Sequence, residues 1–226
     1  MRNDAVGILL MAGRGERFAA SMPKQFFPYD GEPLFLSGAK LLAAALPSVV
    51  YVTLDGCQEE TQKALQNAGI WRDSDRIVVG GSTRQESVKE GLKALPIDLD
   101  PAMVVVLHDG SRPDTAEEDL DAVIEAANVY GAAVLALAST DSIAVSQQGE
   151  LAENYLDRKT IYRVQTPQAF RLHLLEEAEI AAEQEKQPFT DEGSMVLKTL
   201  GVRPKIVLGH RKNEKITTAM DLGERL

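Results

Sequence analysis

The sequence has little of what several protein classes require. Its 226 residues include one cysteine, Cys57, so neither an internal disulfide nor a cysteine cluster for zinc or an iron–sulfur centre can form. Its 24 lysines and arginines are outnumbered by 34 aspartates and glutamates, which gives a formal net charge of -10. A broad basic face for DNA or RNA is therefore not expected. An anionic small molecule would need local basic residues instead.

Long apolar runs are also missing. The apolar stretch near the amino terminus spans only about seven residues before glycines and charges begin, too short for a signal segment or a membrane span. We therefore expect no targeting segment and no membrane partner. The single cysteine suits a reducing compartment, and a cytoplasmic location is expected. The 44% hydrophobic content is ordinary for a chain that buries a core.

What the chain does contain is an alternation of short apolar runs with helical patterns. Strands are predicted at 5–11, 49–54, 76–79, 103–107, 132–138 and 205–208. Helices are predicted at 33–46, 58–68, 84–95, 117–130, 172–184 and 192–200, with a short helix after Thr218. Most of the strands are continuous apolar runs, as in a parallel sheet buried on both faces. The order predicts an α/β fold, namely a doubly wound, Rossmann-like and mainly parallel sheet with helices on both faces.

One stretch, residues 139–165, breaks the alternation. Gln147, Gln148 and Gly149 mark a turn between two extended arms, so a protruding β-arm is expected there. An exposed two-stranded excursion is hard to stabilise alone, which favours a partner that covers its edge. No repeat or linker divides the chain, so we expect a single domain over 1–226 that carries this arm at about 139–165.

Ligands of doubly wound sheets bind beyond the carboxyl ends of the strands, so the loops after the first, third and fourth strands are expected to share one crevice. The first loop contains Gly13 and Gly15 after a buried strand, with Arg14, Arg17 and Lys24 close in sequence. Glycines let backbone N–H groups approach phosphate oxygens, and the basic side chains add positive charge. The loop lacks both the P-loop spacing and the third glycine of the dinucleotide fingerprint. A triphosphate site and a tight turn with solvated charges both fit it.

The second and third loops each allow a structural interpretation. In the second loop, Ser82 or Thr83 can cap the helix that follows, with Glu86 in its first turn. In the third, a buried strand ends near Asp109, which can hold Mg²⁺ against a triphosphate, since Mg²⁺ prefers one or two carboxylates plus phosphate oxygens and waters. Asp109 can also cap the next turn and pair with Arg112.

Together these motifs resemble those of the sugar-phosphate nucleotidyltransferases, and more narrowly those of the 2-C-methyl-D-erythritol 4-phosphate cytidylyltransferase family. The first loop matches through Ala12-Gly13-x-Gly15-x-Arg17 and Pro23-Lys24-Gln25. The later matches are Gly80-Gly81-x-x-Arg84-x-x-Ser87, His108-Asp109-Gly110-x-Arg112-Pro113, Thr140-Asp141-Ser142-Ile143, Thr166-Pro167-Gln168 and Asn213-Glu214-Lys215-Ile216-Thr217. The resemblance therefore runs nearly end to end.

The resemblance implies transfer of CMP from CTP to a polyol phosphate, with release of pyrophosphate and with Mg²⁺ held by Asp109. It implies charge stabilisation at the α-phosphorus by the catalytic residues Arg17, Lys24 and Lys215. The CTP-binding residues that it implies are Met11, Ala12, Gly13, Arg14, Gly15, Lys24, Gly80, Gly81, Arg84, Ser87, Asp109, Gly110 and Lys215. The acceptor-binding residues that it implies are Asp109, Arg112, Ser142, Arg158 and Thr166. A homodimer is expected, in which the arm carries Ser142 and Arg158 to the neighbouring site.

Two other segments are interpreted as structural. His108 is expected to be a hydrogen-bonded buried imidazole, because an attacking phosphate is already ionised and needs no general base. Residues 190–194 are expected to cap a helix whose first turn is acidic, in preference to forming a second metal site.

The acceptor is less closely specified than the nucleotide. Ser142 stands where the family more often has threonine, and Ala144 where many relatives have lysine. We expect 2-C-methyl-D-erythritol 4-phosphate, with ribitol 5-phosphate as the alternative acceptor. An NAD(P)-linked oxidoreductase is disfavoured by the incomplete glycine pattern. A catalytically silent nucleotide-binding module stays open, because a fold does not fix a function.

Overall fold

The computed structural model describes residues 2–13, 22–150, 152–185, 189–218 and 220–223. Its main sheet contains the strands β1 (Ala5–Leu10), β4 (Val49–Thr53), β5 (Arg76–Val79), β6 (Val104–Asp109), β7 (Ala132–Ala138), β10 (Tyr162–Arg171) and β11 (Lys205–Leu208). Two hairpins lie outside it, formed by β2 (Pro28–Tyr29) with β3 (Glu32–Pro33), and by β8 (Ile143–Val145) with β9 (Asn154–Leu156). The strand order is β11-β7-β10-β6-β1-β4-β5, and only β10 runs antiparallel to its neighbours.

Helices cover both faces of this sheet. They are α1 (Phe35–Ala45), α2 (Gln58–Asn67), α3 (Arg84–Lys93), α4 (Glu117–Tyr130), α5 (Leu172–Glu185), α6 (Glu192–Leu200) and α7 (Met220–Gly223). One core contains residues of α1, α2 and α4, and the other contains residues of α3, α5 and α6. The doubly wound α/β fold is thus confirmed. No helix among the described residues is long and apolar enough to cross a membrane.

The buried strands supply both cores alternately. Leu9 of β1 packs with the α1 side and Ile8 with the α3 side, and both side chains are fully buried. This alternation follows from the two-residue period of a strand, which explains why β1 is apolar throughout. Full burial of one such aliphatic side chain contributes about 1.5–3 kcal/mol before the cost of ordering it.

The apolar patterns do not predict β10. Its first residues fall within the expected arm, and Gln165, Thr166 and Gln168 make it polar although all three are buried. The strand lies between β6 and β7, and its register with β7 shifts between Val164 and Gln168. Such irregularities redirect side chains, and this one includes a cis peptide bond between Thr166 and Pro167.

The expected arm is shorter than predicted. The β8–β9 hairpin pairs Ile143 with Leu156 and Val145 with Asn154, whereas the chain from Tyr162 onward belongs to the main sheet. β6 in turn extends two residues beyond its predicted end, because Asp109 still pairs with Leu10 of β1. Asp109 is therefore fixed by a strand ladder and not only by a loop.

Candidate active site

The loops after β1, β5 and β6 converge at the carboxyl edge of the sheet. The N–H of Gly110 donates to the carbonyl of Leu10 at 2.9 Å, which joins the third loop to the first. The second loop approaches even more closely, because a Cβ atom added to Gly80 would lie 2.4 Å from the Cβ of Ala12 and 2.7 Å from Ser87 Oγ. The structure thus places three glycine-containing loops around one crevice.

We expect Gly80→Ala to destabilise the protein by about 1–3 kcal/mol, because the added methyl group must push the first loop or α3 aside. Gly110→Ala is a matched comparison, since its nearest neighbour would be the Met11 Cβ at 3.2 Å. Chemical denaturation should therefore show a larger loss of unfolding free energy for Gly80→Ala than for Gly110→Ala. Equal losses would contradict the close approach.

The second loop enters α3 through a capping box. Thr83 Oγ1 accepts a hydrogen bond from the N–H of Glu86, while the Glu86 carboxylate accepts one from the N–H of Thr83, each at 3.1 Å. Ser87 is buried and donates its hydroxyl to the carbonyl of Thr83 at 2.9 Å. The cap fixes the backbone of Arg84, the first residue of α3.

The crevice is centred on the carboxylate of Asp109. Lys215 Nζ donates to its Oδ2 at 2.8 Å. Arg84 Nη2 lies 3.6 Å from its Oδ1, and Arg112 Nε lies 3.6 Å from its Oδ2. The side chain of Asp109 is only 9% exposed, so bulk water screens these charges weakly. Three cations, two of them from distant parts of the chain, therefore surround one buried anion.

Burial and charge act in opposite directions on this carboxylate. Burial alone would raise the pKa of Asp109, but the charges of Lys215, Arg84 and Arg112 outweigh it and hold the pKa below its ordinary value. Asp109 is thus ionised at neutral pH and can accept a cation or a hydrogen bond. Three basic side chains lie within 3.6 Å of this single carboxylate, which suits an anionic ligand.

The segment that carries Lys215 is fastened to the third loop and to β10. Asn213 is fully buried, and its side-chain amide donates to the carbonyl of Thr166 at 2.8 Å. Its backbone carbonyl accepts from Arg112 Nη1 at 2.9 Å and from Gln165 Nε2 at 2.7 Å. Asn213 is thus the residue through which the C-terminal segment is held against the crevice.

Lys24 approaches the same segment from the amino-terminal side. Its Nζ donates to the carbonyl of Ile216 at 2.8 Å, while the N–H of Ile216 donates to the carbonyl of Ser111 at 2.9 Å. Lys24 therefore contacts the residue next to Lys215, although the two lysines are far apart in sequence. No local sequence pattern predicts this meeting.

His108 has the structural environment that its sequence context predicts. It is fully buried, with Nδ1 3.1 Å from Thr166 Oγ1 and Nε2 3.4 Å from Thr115 Oγ1. Burial lowers the pKa of His108 to about 4, so the imidazole is neutral at physiological pH. Thr166 also accepts a hydrogen bond from the N–H of Asp109 at 3.0 Å, which links His108 to the position of the carboxylate.

Residues 190–194 form the expected helix cap, with an additional contact. Asp191 is the N-cap of α6 and accepts from the N–H of Ser194 at 2.8 Å. The next residue, Glu192, is buried and forms an ion pair with Arg84 Nη1. The acidic first turn that the sequence predicts at Glu192 does not reveal a partner 108 residues away.

A second buried carboxyl group, that of Glu179 on α5, lies close to Gln85, the residue after Arg84. Its Oε2 accepts from Gln85 Nε2 at 3.4 Å, and within the described part of the chain its Oε1 has no hydrogen-bond partner. Burial raises the pKa of Glu179 to about 7, and the charge of Glu192 adds to the effect. The folded protein therefore holds this proton at pH values where the unfolded chain has released it.

We expect Glu179→Gln to stabilise the protein by about 2 kcal/mol near pH 8, because it removes a buried charge. The difference should shrink as the pH falls through about 7 and vanish below about 4.5, where the carboxyl group is protonated in both states. Urea denaturation across this range measures it, with Glu183→Gln on the exposed side of α5 as the control. A variant that is less stable than the wild type at pH 8 would contradict the prediction.

Not every predicted site residue can be placed in the Asp109 cluster. Arg14, Gly15 and Arg17 are outside the described residues. Ser142 and Arg158 belong to the arm region, where Arg158 Nη1 donates to the carbonyl of Thr140 at 3.2 Å. Among residues whose placement is described, no hydrogen bond or ion pair joins either of them to the Asp109 cluster.

The crevice suits only one kind of metal site. No group of three or more His, Cys, Asp or Glu side chains in the described ranges could hold a metal ion. The single ionised carboxylate of Asp109 nevertheless fits Mg²⁺, which keeps several waters and takes phosphate oxygens as its other ligands. A metal held this way would depend on a bound phosphate compound.

Comparisons with known proteins agree with this picture. The sequence pattern of the family described as 2-C-methyl-D-erythritol 4-phosphate cytidylyltransferase matches residues 5–224. A protein of that name from Bacillus velezensis is 35% identical over 97% of this chain and 93% of its own length. One from Pelotomaculum thermopropionicum is 37% identical over 97% of this chain and 92% of its own.

Solved structures show the same architecture. The crystal structure of 2-C-methyl-D-erythritol 4-phosphate cytidylyltransferase from Thermus thermophilus is 26% identical, with a TM-score of 0.78 over 98% of this chain and 96% of its own. A 4-diphosphocytidyl-2C-methyl-D-erythritol synthase from Anaerococcus prevotii, 24% identical, shares the fold with a TM-score of 0.84 over 97% of this chain and 93% of its own. The chain belongs to the 2-C-methyl-D-erythritol 4-phosphate cytidylyltransferase family.

Proposed function

We propose that the Asp109 cluster is the site at which this cytidylyltransferase joins CTP to 2-C-methyl-D-erythritol 4-phosphate, a step of isoprenoid precursor synthesis. The observation that carries the proposal is the arrangement of Lys215, Arg84 and Arg112 around one buried, ionised carboxylate. It lies at the carboxyl edge of a doubly wound sheet, where such folds bind their ligands.

The first and second loops are proposed to bind the nucleotide. The close approach of Gly80 to Ala12 makes the two loops adjoining parts of the proposed nucleotide site. Met11, Ala12, Gly13 and Ser87 complete this part of the proposed site, and the resemblance adds Arg14 and Gly15. Gly110, Asp109 and Lys215 would then face the phosphates.

The proposed chemistry needs no covalent intermediate on the protein. A phosphate oxygen of the acceptor forms a bond to the α-phosphorus of CTP, and the bond from that phosphorus to the β-phosphate oxygen breaks. Pyrophosphate leaves with the bonding electrons. Negative charge grows on the non-bridging oxygens, and Lys24 and Lys215, with Arg17 as the resemblance implies, would stabilise it.

A divalent cation is proposed as the cofactor. Mg²⁺ supplies charge neutralisation at a bound triphosphate. Asp109 would hold it, because this carboxylate is ionised and its Oδ1 is less closely approached by cations than its Oδ2. Lys215 occupies the Oδ2 side at 2.8 Å, so the lysine and the metal need not share one oxygen.

The acceptor is proposed to bind between Arg112, Thr166 and Asp109, with Ser142 and Arg158 from the arm of a second copy. A homodimer is supported by the exposed apolar side chains of the hairpin, including Tyr155, which is 66% exposed, and Leu156, which is 40% exposed. Apolar residues on an exposed two-stranded hairpin favour a covering partner. Light scattering of the purified protein would test this, and a monomer at assay concentrations would refute the shared site.

We also propose a cytoplasmic location. A single free cysteine, Cys57, suits a reducing compartment in which no disulfide is required. Fractionation of the producing cells, followed by detection of the native protein, would test the location.

The deciding experiment measures pyrophosphate release with CTP and Mg²⁺, with 2-C-methyl-D-erythritol 4-phosphate and ribitol 5-phosphate as separate acceptors. Turnover with the first compound alone is expected. Turnover with ribitol 5-phosphate alone would retain the mechanism and change the acceptor. Binding of CTP without turnover of either compound would indicate a catalytically silent module.

A further inference from the structure

Arg84 is held between two carboxylates that come from different parts of the fold. Its Nη1 forms an ion pair with Glu192 at the start of α6, while its Nη2 lies 3.6 Å from Asp109 Oδ1 at the end of β6. The Glu192 side chain is 3% exposed and that of Arg84 is 26% exposed. A planar guanidinium can engage both partners at once, which a lysine cannot do with the same geometry.

The start of α6 is rigidly placed. The N–H of Gly193 donates to Gln168 Oε1 of β10 at 3.1 Å. A Cβ atom added to Gly193 would lie 2.7 Å from Val134 Cγ1, so α6 begins pressed against the sheet. Together with the Asp191 cap, these contacts fix the backbone of Glu192, and the helix N-terminus favours its negative charge.

Arg84 is fixed in a comparable way at the start of α3 by the capping box of Thr83 and Glu86. The pair therefore joins the first residues of two helices whose positions are set independently. The guanidinium is drawn toward Glu192 and stops short of a close ion pair with Asp109. Without the charge of Glu192, the ion pair that remains to Arg84 among the described residues is the one with Asp109.

We propose that Glu192 is a positioning residue that holds Arg84 back from Asp109 and so keeps Asp109 Oδ1 accessible within the nucleotide site. The proposal rests on the function proposed above and adds to it a carboxylate that touches neither substrate nor metal. Its effect passes through Arg84 alone. It predicts that Glu192 matters for nucleotide binding only while Arg84 is present.

The test compares Glu192→Gln, which keeps the shape and removes the charge, with the single variant Arg84→Met and the double variant Arg84→Met/Glu192→Gln. Calorimetric titration with CTP and Mg²⁺ should show about tenfold weaker binding for Glu192→Gln, the change expected from a lost charge-assisted contact. The double variant should bind CTP within about twofold of the single variant Arg84→Met, because Glu192 has no further effect once Arg84 is absent. Steady-state kinetics should place the loss in the KM for CTP, with kcat within about threefold of the wild type.

The control is Glu183→Gln, because Glu183 also reaches α3, where it pairs with Lys89 on the exposed surface. This variant should bind CTP within about twofold of the wild type. Wild-type affinity for Glu192→Gln would overturn the proposal. So would a tenfold loss in the double variant relative to Arg84→Met alone, because Glu192 would then act by another route.

Two measurements keep the result decisive. If Glu192→Gln does not fold, Glu192→Asp takes its place, because it retains the charge but is one methylene group shorter. CTP binding that is about threefold weaker at unchanged kcat would support the proposal. Unchanged binding would refute it. Wild-type turnover is measured separately. A wild type that binds CTP but does not use 2-C-methyl-D-erythritol 4-phosphate would refute the proposed acceptor, while the binding results for Glu192 would still stand.

Discussion

Asp109→Asn is expected to lower the kcat for pyrophosphate release by about 10³-fold, the loss typical of removing a main electrostatic group from an active site. The substitution keeps the size of the side chain but removes its charge. Lys215, Arg84 and Arg112 then face one another without the anion that balances them. The proposed ligand for Mg²⁺ is lost at the same time, so positioning of the triphosphate and neutralisation of its charge both suffer.

Asp98→Asn is the matched control, because Asp98 is exposed in the loop before β6. It makes the same chemical change outside the crevice and should leave kcat within about twofold of the wild type. Circular dichroism and thermal unfolding establish that Asp109→Asn is folded before its activity is compared. A folded variant with at least a tenth of the wild-type kcat would place the reaction elsewhere.

The sheet could largely be predicted from the sequence because its strands are buried on both faces. β1, β4 and β6 are continuous apolar runs, and their order with the helices limits the topology to a doubly wound sheet. The glycine loops then follow from where those strands end. The resemblance to a family added roles for the residues, which the apolar pattern alone does not supply.

β10 could not be predicted in the same way, because its polar residues serve the crevice and not the cores. Gln165 donates to the carbonyl of Asn213, and Thr166 accepts from the N–H of Asp109. Buried polar residues with distant partners resemble a surface segment when only the sequence is considered. The irregular pairing with β7 removes the remaining two-residue period.

The pairing of Arg84 with Glu192 was hidden for a related reason. Each residue has a complete local explanation. Arg84 follows the N-cap of α3, and Glu192 belongs to the acidic first turn of α6. Their contact depends on how α3 and α6 pack on the same face of the sheet, which no local rule determines. Long-range ion pairs of this kind become visible only in the folded chain.

Asn213→Ala is expected to reduce the free energy of unfolding by about 3 kcal/mol, since a buried polar group left without its partner costs about 1–3 kcal/mol. The carbonyl of Thr166 loses the amide that donates to it at 2.8 Å. The hydroxyl of Thr115 loses the acceptor at 2.9 Å and can turn only to more distant ones, the carbonyl of Arg112 at 3.3 Å and His108 Nε2 at 3.4 Å. In a chain of this length the loss corresponds to a fall in Tm of about 6–12 °C.

The same variant is expected to lower kcat by about tenfold, because Asn213 holds the segment from which Lys215 reaches Asp109. Urea denaturation measures the stability, and pyrophosphate release measures the activity. Asn213→Asp sharpens the comparison. It keeps an acceptor for Thr115 but cannot donate to Thr166 while ionised, so it should be no more stable than the alanine variant near neutral pH.

Asn67→Ala, at the exposed end of α2, is the control for replacing asparagine and should change the unfolding free energy by less than about 0.5 kcal/mol. If Asn213→Ala were as stable as this control, the hydrogen bonds of Asn213 would not hold the C-terminal segment in place. The position of Lys215 would then have to depend on the backbone contact between Ile216 and Ser111 and on the hydrogen bond from Lys24.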